Sequence, residues 1–403
     1  MKRLLNAAVV VAALGYFVDI YDLLLFSIVR VDSLRSIGYA GRELEVGAYL
    51  NNIQMTGLMI GGIFWGMLGD KKGRLSVLFG SIFLYSVANL LNGYAANFTQ
   101  YAFCRFFAGL GLAGELGAGI TLVSEVLPPL LRGYGTMIVA TVGVSGAIVG
   151  GFVAQAYSWR TAFQIGGALG FVLLILRIGV AESGIYKQVA TSSATRGNFL
   201  SLFTSKSKFK RFSLCILSGV PIWFTIGVLV TYGPEFAKNF GIMESIGTAK
   251  AVMACYLGFV LGDFGSGMLS QILKSRNRAV RFAIIANAIS ILIYLVALKN
   301  VSAEVFYIWC VVMGTTAGYW AVIVTMASEQ FGTNLRATVT TAVPNFIRFS
   351  LVPMNFAVLM LKSEVGLVYS ALIVGSVVLL IAYLSIQNLE ESFGRDLNFV
   401  ESE

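Results

Sequence analysis

Two short polar patterns recur about two hundred residues apart, each at the end of a long apolar stretch. Gly66-Met67-Leu68-Gly69-Asp70-Lys71-Lys72-Gly73-Arg74 returns as Gly267-Met268-Leu269-Ser270-Gln271, followed by Lys274, Arg276 and Arg278. Ser124-Glu125, with Leu131-Arg132-Gly133 shortly after it, returns as Ser328-Glu329 with Leu335-Arg336-Ala337 at the same distance. Two unrelated patterns repeating at nearly one offset imply a duplicated membrane unit. Parallel repeats of this kind are one way in which membrane transporters are built.

A helical span needs about 20 apolar residues. Windows of that length fit about twelve times, near 6–29, 46–68, 75–95, 98–125, 133–156, 162–181, 212–235, 248–273, 279–298, 303–327, 337–361 and 366–387. Composition agrees, with 57% hydrophobic and 12% charged residues, where soluble domains have about 25% charged. The expected fold is an all-α membrane protein of twelve transmembrane helices in two six-helix pseudo-symmetric halves, 1–181 and 212–403. The Ser-, Thr- and Lys-containing segment 182–211 reads as a flexible cytoplasmic linker with an amphipathic stretch around Phe199–Phe212.

A net charge of +9 suggests nucleic acid in a soluble protein, but the basic residues here follow the connections. Lys2, Arg3, Lys71, Lys72, Arg74, Arg132, Lys206, Lys210, Arg276 and Arg336 share one side if the spans alternate. By the positive-inside rule both termini are then cytoplasmic. The short loops suggest a bacterial cytoplasmic (inner) membrane. The first apolar run continues past Asp22 to Val29 and reads as a span, not a cleaved signal. Cys104, Cys215, Cys255 and Cys310 lie in spans without a CxxC pair and read as core residues, so no metal is expected. No Gly-x-x-x-x-Gly-Lys-Ser/Thr loop is present to bind nucleotide. Neither enzymatic chemistry nor a cofactor is expected, and an ion gradient is the expected energy source.

A charge inside a membrane costs about 2.5 to 3.5 kcal/mol on insertion scales, so each intramembrane ionisable group is a functional candidate. Asp19 and Asp22 share one helix face, where two negative charges in low dielectric repel and favour loading a proton. Histidine is absent, so carboxylates would have to carry any proton coupling. Glu115 and Asp263 are the other mid-span acids. Small residues surround both, which leaves a structural bond between helices as the competing reading. Arg105 and Arg348 are the mid-membrane cations, able to hold a carboxylate in two-point fashion or to neutralise the acids. Arg348, with Asn345 one turn earlier, is the candidate for substrate contact, and Tyr21, Trp223, Tyr319 and Trp320 stand near the expected cavity.

The Gly66–Arg74 run resembles the loop between the second and third spans of the major facilitator superfamily. Arg105-x-x-x-Gly109-x-Gly111-x-x-Gly114 resembles that superfamily's fourth-span motif, and Arg132-Gly133 its following loop. Asp19-Ile20-Tyr21-Asp22 and Gly114-Glu115-Leu116-Gly117 are similar to elements of its metabolite:proton symporter group, with Ile20 and Leu23 in place of the usual Trp and Phe. The resemblance implies alternating access and links the Arg105 position to proton coupling. It further implies a cytoplasmic gate of salt bridges built from Gly66, Asp70, Gly73, Arg74, Glu125, Arg132, Glu182, Glu329 and Arg336. The expected function is proton-coupled uptake of a small organic acid or zwitterion by a monomer, with lipid, substrate and protons as its partners. A proton-coupled exporter or drug antiporter, a gradient-independent facilitator and a non-transporting sensor are the alternatives. Ala147, where drug antiporters carry Pro, argues against the antiporter.

Overall fold

The computed structural model describes residues 7–178, 197–395 and 399–401, apart from the side chains of Ala7, Arg74, Pro129, Leu130 and Arg132. Among these residues the chain is helical and has no strand. The first helices are α1 (Ala7–Ser36), α2 (Glu43–Lys72), α3 (Arg74–Asn92), α4 (Phe98–Leu112), α5 (Glu115–Val126), α6 (Pro129–Val144), α7 (Gly146–Ala156) and α8 (Trp159–Leu176). There follow α9 (Ser201–Thr204), α10 (Lys206–Trp223), a π-helical stretch Phe224–Val230, α11 (Gly233–Asn239), α12 (Thr248–Ile272) and α13 (Arg276–Ala297). The chain closes with α14 (Ala303–Ala317), α15 (Trp320–Gln330), α16 (Arg336–Phe349) and α17 (Leu351–Gln387).

Ten stretches are long and apolar enough to cross a membrane by that measure alone. α2 adds another: it is 30 residues long, with its hydropathy lowered by Asn51, Asn52, Gln54 and its glycines. The stretch Arg336–Gln387 is two spans joined at Gly366, whose φ of 79° only glycine adopts without strain. All twelve expected spans are therefore accounted for. α10 begins at Lys206, inside the segment expected to be linker, because Ser205 caps its first turn and Phe212 packs against Phe199 and Phe346.

Four spans are interrupted near mid-length. Ala113 and Gly114 separate α4 from α5 and Ser145 separates α6 from α7, while Gly318 and Tyr319 separate α14 from α15 and Ser350 separates α16 from α17. The second pair of breaks follows the first by about two hundred residues, the offset of the sequence echoes. Close packing repeats as well. A methyl on Gly57 or Gly109 would meet the Phe106 or Gln54 carbonyl at 2.3 or 2.2 Å, which joins α2 to α4. A methyl on Gly258, Gly262 or Gly314 would meet the Val311, Thr315 or Cys255 carbonyl at 1.9, 2.0 or 1.8 Å, which joins α12 to α14. Backbones approach this closely only where side chains are absent.

The segment after α17 folds back on one end of the bundle. Glu391 accepts the Arg276 N–H at 2.9 Å and the Ser275 hydroxyl, capping α13. Glu401 pairs with Arg211 at 3.0 Å, and the Phe399 carbonyl accepts the Thr333 N–H at 2.9 Å.

Candidate functional site

Between the two groups of helices, at mid-bundle, lies a small cavity with an aromatic wall. Tyr16 comes from α1, Trp223 from the end of α10, Tyr256 and Phe259 from α12 and Trp320 from α15, with Ile20, Val144, Ile222 and Ile226 between them. Its volume, measured to the centre of a water-sized sphere, is about 10 Å³, roughly the space of one water. Arg348 is the one charged residue in this lining. Its guanidinium lies 5.4 Å from the Trp320 ring centroid, donates to Asn345 Oδ1 at 3.1 Å and stands 3.6 Å from an Asp19 oxygen. Asn345 is itself fixed by donating to the Ala113 and Thr341 carbonyls at 2.9 and 2.8 Å. Neither Asp19 oxygen has a hydrogen-bond partner, and Arg348 keeps Nε and Nη2 without one. A buried cation is thus held by one carboxylate at ion-pair distance, with donors to spare.

Asp22 lies one turn along α1 from Asp19. It is fully buried, touches the backbone position of Gly166 on α8, and has Arg105 as its strongest charged neighbour. Neither Asp22 oxygen and none of the three Arg105 nitrogens has a hydrogen-bond partner. The Arg105 guanidinium instead lies 5.3 and 5.4 Å from the Phe26 and Phe163 ring centroids.

Glu115, at the first turn of α5, is bound at two points by Arg177, 2.9 and 2.6 Å. The Ser81 hydroxyl donates to it at 3.0 Å, and Arg177 also donates to the Leu78 carbonyl at 2.8 Å. Asp263 on α12 is buried, and its Oδ1 accepts the Ala321 N–H at 2.8 Å, at the start of α15.

Both ends of the interface are bridged. At the basic end, Asp70 accepts the Ala337 N–H at 3.2 Å, the Thr338 N–H at 2.8 Å and the Thr338 hydroxyl at 2.7 Å. The carboxylate meets the positive end of α16. A methyl on Gly66 would come within 2.8 Å of Thr338 Cα, which is why that position carries no side chain. Gly73, at φ 97°, makes the turn into α3. Glu125 pairs with Arg336 at 3.4 Å, the Thr136 and Thr325 hydroxyls bond at 2.8 Å, and Gln271, the echo of Asp70, abuts Gly133. Glu329 pairs with Arg276 at 3.0 Å. At the opposite end Arg30 pairs with Glu235 at 3.0 Å. There Tyr232 donates to Asn355 at 3.0 Å, and Asn355 donates to Asn52 at 3.1 Å.

Of the residues expected at a substrate site, Trp223, Trp320 and Arg348 line the cavity and Asn345 stands behind Arg348. Tyr21 and Tyr319 are turned into packing, their hydroxyls donating to the Ala162 and Ser218 carbonyls at 2.9 and 3.3 Å. At the basic end, Gly66, Asp70, Glu125 and Arg336 meet across the interface, while Glu329 pairs within its own half. The Arg74 and Arg132 side chains and all of Glu182 lie outside the described residues. Sequence reasoning missed Arg177, Arg276, Glu235, Tyr16, Tyr256 and Phe259. For Arg177 and Arg276 a signal existed, since each is a cation within or next to an apolar window; a tyrosine in such a window looks the same whether it faces cavity, neighbour or lipid.

Residues 12–352 match the family model described as Major Facilitator Superfamily. A putative metabolite transport protein of Haemophilus influenzae is 29% identical over 59% of this chain and 57% of its own length. The sialic acid transporter NanX of Escherichia coli is 27% identical over 62% of this chain and 64% of its own length. In both cases the match spans less than two thirds of the relative. The niacin transporter NiaP of Acinetobacter baylyi is 24% identical over 81% of this chain and 80% of its own length. Among solved structures, the proton:xylose symporter XylE bound to 6-bromo-6-deoxy-D-glucose superimposes with a TM-score of 0.76 over 97% of each chain at 16% identity, a likeness of fold.

Proposed function

The chain belongs to the Major Facilitator Superfamily, and on that footing we propose that it is a secondary active transporter taking up a small organic acid or zwitterion with protons by alternating access. The bilayer is the bacterial cytoplasmic membrane, with the basic end inside. The observation that carries this reading is the Asp19–Arg348 pair, 3.6 Å apart and fully buried, in the wall of an aromatic cavity. A planar guanidinium with free donors takes a carboxylate at two points. When a substrate carboxylate takes Arg348, Asp19 loses its counter-charge and binds a proton, so the net charge of the site stays constant and the two loads travel together. An aromatic lining favours a flat or ring-bearing acid, in keeping with relatives named for sialic acid and niacin. Asp22 beside Arg105 is a second proton acceptor. The bridges at the two ends open in turn.

The test is internal pH in oriented proteoliposomes loaded with a pH dye and challenged with nicotinate, sialic acid, and pools of other carboxylates, zwitterions, sugars and lipophilic cations. Acidification on adding a carboxylate or zwitterion is the expected outcome, absent in Asp19→Asn and Asp22→Asn while counterflow exchange persists. Alkalinisation means antiport, and substrate entry without a pH change means a facilitator; either overturns the reading.

A further inference from the structure

We propose that Asp263 is a positioning residue: it anchors the buried start of α15 and thereby sets Trp320 against Arg348, without carrying a proton. The proposal rests on the cavity reading above. α15 starts in the middle of the bundle because the chain breaks at Gly318 and Tyr319, with φ, ψ of −76°, 74° and −135°, 23°. The first N–H groups of a helix have no acceptor within it, and at mid-membrane no solvent replaces one. Asp263 supplies that acceptor, since its Oδ1 takes the Ala321 N–H at 2.8 Å. It is brought there by the glycine contact of α12 with α14, in which Gly262 faces Gly318 so closely that a methyl on either would strike the other's neighbourhood at 3.0 Å or less. A carboxylate at a helix start is also stabilised by the helix dipole.

What this start holds in place is the cavity wall. Trp320 is the first residue of α15, is 2% exposed, and has no partner for its indole N–H, so no hydrogen bond of its own fixes the ring. Its place beneath Arg348 is therefore set by the backbone that carries it. The same short helix, 11 residues and about 16 Å long, bears Thr325 at its middle and Glu329 near its far end, where they meet Thr136 and Arg276. Anchoring one end of this rod fixes the substrate wall and registers it with the basic-end bridges.

The experiment compares Asp263→Asn, which keeps an oxygen acceptor, with Asp263→Ala, which does not. In detergent without substrate, hydrogen–deuterium exchange of the peptide spanning 319–325 is expected to rise in Asp263→Ala and to stay near wild type in Asp263→Asn. In proteoliposomes with nicotinate, Asp263→Ala is expected to raise KM roughly tenfold, as for one lost buried hydrogen bond, with Vmax less affected. Asp263→Asn is expected to keep the wild-type pH profile. Should Asp263→Ala not fold, Ala321→Pro removes the donor in the first helical turn, where proline is tolerated, and is expected to reproduce the KM effect. Unchanged exchange in Asp263→Ala, or loss of proton coupling in Asp263→Asn, overturns the proposal. If wild type does not carry nicotinate, the substrate reading fails while the exchange result still decides the role of Asp263.

Discussion

Glu115 and Arg177 show how an ion pair survives at mid-bundle: both are buried, they join through two hydrogen bonds, and Ser81 and the Leu78 carbonyl add one more to each. Removing one partner of such a pair leaves the other charge uncompensated, at about 3–5 kcal/mol, while replacing both is far milder. Glu115→Gln is therefore expected to lower the thermal melting point in detergent strongly, and Arg177→Met added to it to restore most of the loss. A double variant no more stable than the single one refutes the pairing as the cause. In the sequence, Glu115 stands out as an acid in an apolar window, but its partner lies 62 residues and two spans further along the chain. Distance along the chain hides which opposite charges meet, so Asp19 and Arg348 were visible as ionisable groups while their pairing was not.

Helices here are placed by glycine more than by apolar stripes, since every face is apolar to a membrane. Leu261-Gly262-Asp263-Phe264-Gly265 contains its own control. A methyl at Gly262 would sit 2.0 Å from the Thr315 carbonyl of α14, whereas at Gly265 it meets nothing within 4 Å. Gly262→Ala is expected to lower the melting point by several degrees, because a backbone carbonyl has nowhere to move. Gly265→Ala is expected to be neutral or stabilising by up to about 1 kcal/mol through helix propensity. Equal melting points for the two variants refute the close approach. The sequence showed both glycines and the duplication, and so the twelve spans. It did not show the mid-span breaks at Ser145 and Ser350, which no proline or glycine marks at the break itself.

For the molecule as a whole, the central fact is that both ends of the interface are bridged at once around a cavity with room for little more than one water. Under the proposed alternation, one end parts while the other holds, so a covalent tie at either end arrests the cycle. Thr136→Cys with Thr325→Cys replaces two hydroxyls 2.8 Å apart and is expected to form a disulfide that stops flux and is reversed by reductant. Flux that continues through the oxidised protein refutes the opening of the basic end. The two ends differ in how they are made. Arg30–Glu235 and Glu125–Arg336 join side chain to side chain, but Asp70 takes two of its bonds from main-chain N–H groups of α16. A genetic screen for compensating changes would find charge-swapped partners at the first two. It would be blind to the last, because no change of side chain at Ala337 or Thr338 short of proline deletes those amides, and none restores them once Asp70 is lost.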